Sequence, residues 1–92
     1  MNAQHTPGPW SYVRNPENTR WIIDSAPAHG IACTAGHEPD NEANACLIAA
    51  APELLSLAYQ YLSDLRRPPT GESLERRIEE ARRVILKALG DV

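Results

Sequence analysis

The spacing of apolar residues changes once along the chain. Up to about residue 37 they alternate, and beyond residue 40 they recur at three and four. In PWSYVR, Trp10 and Tyr12 fall on one face of a strand, and Ser11 and Val13 on the other. NPEN, Asn15 to Asn18, is a turn signal, with Pro16 suited to the first central position. TRWIIDS is a second strand, with Trp21 and Ile23 on one face and Ile22 on the other. SAPAHG reads as a second connection. GIACTAG reads as a third short strand, where Ile31 and Cys33 alternate against Ala32 and Thr34. Residues 1–37 thus predict a three-stranded antiparallel β-meander. Three short strands do not stand alone, so another element must cover one face.

The cover is helical. Asp40 or Asn41 is placed to cap a helix, with acids clustered at its start, where the dipole favours them. Leu47, Ile48, Ala51, Leu54, Leu55, Ala58, Leu62 and Leu65 form an apolar stripe. Pro52 interrupts it, and a proline inside a helix costs about 3 kcal/mol. Segment 40–66 is therefore expected as a short helix to about residue 50, a break at Ala51–Pro52, and a second helix to about residue 66. Pro68, Pro69 and Gly71 form the next connection. A C-terminal amphipathic helix is predicted over 72–89, with Leu74, Ile78, Ala81, Ile85 and Leu89 inward, and Gly90 ending it. Glu72–Arg76 and Glu79–Arg83 sit at i,i+4 on its outer face. The expected fold is α+β in a single domain over residues 1–92: the meander, a Pro-broken helix, then the C-terminal helix.

Composition narrows the function. With 42% apolar and 23% charged residues, the chain reads as an ordinary globular domain. It has no apolar run long enough to span a membrane, and MNAQHTPGPW does not read as a secretory signal. The net charge of −3 argues against generic nucleic-acid binding. The charge is uneven: residues 38–65 hold Glu38, Asp40, Glu42, Glu53 and Asp64 without a base, whereas 66–92 are net basic. Cys33 and Cys46 are too few for a disulfide framework and read as reduced thiols. His29, Cys33 and His37 are four apart, but on a strand that spacing places them about 13 Å apart. No metal site is therefore expected. No Gly-rich phosphate loop, GxSxG elbow or HExxH is present, so no catalytic residue and no cofactor is expected.

Two segments are candidates for binding chemistry. In HTPGPW, Pro7 and Pro9 stiffen the backbone around Gly8. The arm either pins Trp10 into the core or presents His5 and Thr6 beside an aromatic face. Asn41 and Asn44 either cap the first helix or offer amides to a pocket, where free N–H groups favour an anion. Arg14 or Arg20 is a candidate phosphate partner, and aromatic faces stack bases. The candidate site is thus His5, Thr6, Trp10, Arg14, Asn41 and Asn44.

HTPGPW at 5–10, followed by NEANACLIAAAPELL at 41–55, resembles a group of small phage and prophage proteins with a TPGPW segment and an N-A-x-L-I-A-A-A-P-E-L-L helix. A looser version of both blocks occurs in the Ea22-like phage proteins. The resemblance implies a phage or prophage source, the host bacterial cytoplasm, and an accessory role. It transfers no catalytic residue. Two non-enzymatic functions lead, with an enzyme as the third reading. One is counter-defence by sequestering a small signalling molecule such as a cyclic nucleotide. The other is anti-CRISPR-like inhibition by protein–protein binding, with the acidic segment meeting a basic groove on a host defence protein. A homo-oligomer is expected from two open sheet edges and apolar surface on the helices.

Overall fold

Three strands and three helices follow one another: β1 (Trp10–Arg14), β2 (Trp21–Ser25), β3 (Ala28–Cys33), α1 (Asn41–Ala49), α2 (Ala51–Arg66) and α3 (Glu72–Leu89). The computed structural model describes residues 5–17, 20–25, 28–34 and 40–90; His37 and Glu38, both considered above, lie outside them. The sheet is antiparallel with order β1-β2-β3, which is the expected meander. The first turn is closed by Asn15, whose Oδ1 accepts the Glu17 N–H at 2.9 Å. β3 starts at Ala28, earlier than the GIACTAG reading. The pairing is irregular between Ile23 and Ser25, where Gly30 takes φ +70 and donates its N–H to Asp24 Oδ1 at 2.6 Å. A carboxylate thus stands in for a ladder partner across this bulge.

Tyr12, Ile23 and Ala32 lie opposite one another across the three strands, and Ile23 is fully buried. α1 covers this face with Ala45, Cys46, Ala49 and Ala50, all buried. The helix meets the sheet through its small residues, which permit close approach. Leu47, part of the expected stripe, instead stays 54% exposed. α3 packs on α1 and α2 packs on α3, so the layers extend away from the sheet. The expected inward set of α3 is also corrected. Val84 is its buried residue, whereas Leu74, Ile78, Ile85 and Leu89 are exposed, because α3 meets α1 on the flank of its stripe.

The helix break is present and lies at Ala50, one residue before the expected point. Its N–H reaches both Cys46 O and Leu47 O (3.1 and 3.2 Å), and α1 and α2 are bent by 50°. Pro52 sits in the first turn of α2, where no intrahelical donor is needed. Its ring would clash with the carbonyl four residues back in a continuous helix, so the chain turns before reaching it. On α3 the outer charges pair at i,i+3, Arg82 with Glu79 and Arg83 with Glu80, rather than at the expected i,i+4. The radius of gyration is 15.4 Å. A compact domain of this length has about 12 Å.

α3 ends at Gly90, which is left-handed at φ 83 and donates its N–H to Lys87 O. A Cβ there would lie 3.0 Å from the Cys46 sulfur. Gly90→Ala therefore combines backbone strain with crowding against α1. Thermal or urea unfolding of this variant should show a loss of about 1–2 kcal/mol.

Candidate functional site

The N-terminal arm is held by its own polar groups. Trp10 Nε1 donates to Thr6 O at 3.1 Å, and His5 Nδ1 lies 2.9 Å from the same oxygen. The His5 ring stands edge-on to Trp10, with centroids 6.2 Å apart. Ser25 Oγ donates to Pro7 O at 3.3 Å, which anchors the arm to β2. Gly8 rests on Pro52: a Cβ on Gly8 would lie 2.9 Å from Pro52 Cβ. The arm thus docks on the first turn of α2.

This placement separates the six candidate residues. Trp10 shares a cleft with Ala49, while Tyr12 meets Cys46 and feels the charge of Glu42, so α1 runs antiparallel to β1. The length of α1, about 13 Å, lies between the arm and Asn41. His5, Thr6 and Trp10 cluster together. Asn41 is buried at the other end of α1, Asn44 is exposed on its first turns, and Arg14 is exposed at the far end of β1. Asp40 holds the N-cap position without a side-chain cap bond, and its carbonyl accepts the Asn44 N–H.

A cleft lies one strand residue further in. Its volume is about 310 Å³, and Trp10, Ser11, Tyr12, Cys46, Ala49, Lys87 and Gly90 line it. Trp10 and Tyr12 face it together because residues two apart on a strand share a face. Lys87 enters from the last turn of α3. Its ammonium donates to Trp10 O at 3.2 Å and to Glu53 Oε2 at 2.6 Å. One lysine thus ties β1, α2 and α3 together and lines the cleft with its charge compensated by Glu53. Tyr12, Cys46 and Lys87 were not among the six candidate site residues. The available signal was that Lys87 is the chain's one lysine, set three residues after Val84 on a helix otherwise rich in arginine.

A second concavity, about 580 Å³, runs between α2 and α3. Its walls are mostly aliphatic, including Leu54, Leu57, Ala58, Leu74 and Ile78, with Tyr61 beside them. Arg77 and Asp64, paired at 3.2 Å, are charged groups on its wall. Among the described residues no group of three or more His, Cys, Asp or Glu side chains is placed to hold a metal. Cys33 is exposed, Cys46 is buried, and both are free.

The Tyr12 phenol has its pKa raised above the ordinary value, first by a hydrogen bond with Cys46, then by burial, then by the charges of Cys46 and Glu42. Folded Tyr12 keeps its proton where the unfolded chain loses it. Stability should accordingly fall as pH climbs past about 10, the value of a free phenol. Urea titrations between pH 8 and 11 should show a steeper decline for the parent than for Tyr12→Phe.

The two blocks that carry the resemblance, HTPGPW and the Pro52 junction, pack directly on each other. They are parts of one fold rather than separate motifs. No curated protein and no solved structure matches the chain. A family model does, over residues 1–92: the family of Salmonella phage P22 protein Y8K6. The match covers the sheet, the bent helix and the C-terminal helix alike, and the chain belongs to this phage protein family.

Proposed function

We propose that this phage protein is a non-enzymatic accessory factor of the host cytoplasm that counters host defence by sequestering a small signalling molecule of the cyclic-nucleotide class. The observation that carries this reading is the convergence of Trp10, Tyr12 and the Lys87 ammonium on one cleft of about 310 Å³. Aromatic rings stack bases, and a phosphate would share the Lys87 ammonium with Glu53. The volume falls at the lower end of small-ligand sites. Of the residues first considered, Trp10 belongs to this cleft, with His5 and Thr6 behind it. Arg14, Asn41 and Asn44 lie outside it. A kinship with the Ea22-like proteins, suggested by the same two blocks, belongs to this proposal.

The alternative, an anti-CRISPR-like inhibitor acting through the acidic segment, has less support. Glu53 is spent on Lys87 and Asp64 on Arg77. Asp40 and Glu42 are the exposed acids of that segment among the described residues.

Calorimetric titration with a panel of cyclic mono- and dinucleotides tests the reading. One member should bind to the parent and to Asn44→Ala alike, and at least tenfold more weakly to Lys87→Gln. Circular dichroism of Lys87→Gln separates loss of ligand from loss of fold. If no member of the panel binds to the parent, the sequestration reading fails.

A further inference from the structure

We propose that the open face of the α2–α3 hairpin binds a second copy of this chain, closing an antiparallel four-helix bundle. This inference is independent of the cleft at Lys87. Both helices carry apolar residues in the alternating three-four spacing of a bundle seam: Leu55, Ala58, Leu62 and Leu65 on α2, and Leu74, Ile78, Ala81 and Ile85 on α3. Two antiparallel helices packed only on each other bury one flank of such a stripe. Here the other flank is open. The six large side chains of the two seams remain 42–63% exposed, and α2 has no buried residue. The 580 Å³ groove between the helices borders this open face and shares Ala58, Leu74, Ile78 and Ala81 with the two seams.

Three quantities favour a second copy as the occupant. The chain exposes 7061 Å², against about 5,300 Å² for a compact monomer of this mass. The excess exceeds the roughly 800 Å² that each partner contributes to a stable interface. The charge of α3 is also self-complementary. Glu72, Glu75, Glu79 and Glu80 outnumber Arg76 and Arg77 in its first half, and its second half carries Arg82, Arg83 and Lys87 and no acid, these three being paired within the chain with Glu79, Glu80 and Glu53. An antiparallel copy sets each half against its opposite. Finally, α2 and α3 have nearly equal lengths, 16 and 18 residues. A two-fold axis across the hairpin therefore matches seam to seam without overhang.

Sedimentation equilibrium of the full chain at ~50 µM, a concentration at which mass action favours such an association, should give twice the chain mass. Leu62→Glu with Ile78→Glu should give the monomer mass with helical content retained, because both side chains are exposed. Cross-linking decides if that variant fails to fold. Position 81 lies at the middle of α3, where antiparallel copies cross. In a Cys33→Ser background, Ala81→Cys should oxidise to a covalent dimer and Arg76→Cys should not. A parent of single-chain mass, a dimer untouched by the Leu62/Ile78 double variant, or no cross-link at position 81 overturns the proposal. The nucleotide titration reads a different surface, so either proposal can fail while the other stands.

Discussion

The arrangement of the whole chain depends on one ammonium. Lys87 reaches from the last turn of α3 to the backbone of β1 and to the carboxylate of α2. The pair is partly sheltered, each side chain being 29% exposed. In such a setting an ion pair is worth more than on an open surface, and removing one partner leaves the other uncompensated. The second oxygen of Glu53 is buried without a hydrogen-bond partner, which raises the cost of losing Lys87 further. Gly90, three residues further on, lets α3 end close against Cys46.

Around this tie the core is small. Ile23 packs under a patch of alanines and Cys46, and the leucines that a larger core would have absorbed sit on the outer hairpin. The structure is therefore elongated, with a compact sheet–α1 unit at one end and an apolar helix pair at the other. This division gives the two regions different chemistry. The sheet end concentrates aromatic rings, a thiol and the ammonium in a small cleft. The hairpin end presents aliphatic seams with charges along their edges.

Much of this was legible in the sequence. The change from alternating to three-four spacing marked the meander and the helices. Pro52 marked the bend and Gly90 the end of α3, because each restricts the backbone in a way its neighbours do not. The faces of β1 and β2 followed from Trp10, Tyr12 and Ile23. What was not legible was which apolar residues would find partners. Ala45 and Ala49 win the sheet because a helix approaches closely only through small side chains, which a stripe of leucines does not reveal. The arrangement of the candidate residues was half legible for a related reason. His5, Thr6 and Trp10 are local and cluster as their spacing suggests. Their distance from Asn41 depends on the direction in which α1 crosses β1, and that is set by tertiary packing. Lys87, 77 residues from Trp10, is joined to it by a contact that no local pattern encodes.

The central claim is that the Lys87 tie holds the helical layers to the sheet. A double-mutant cycle of Glu53→Gln and Lys87→Met, followed by urea unfolding at neutral pH, measures it directly. The account predicts a coupling of about 1–3 kcal/mol, the range for contacting residues in one sheltered network. A coupling indistinguishable from zero, with both single variants near parental stability, would contradict it.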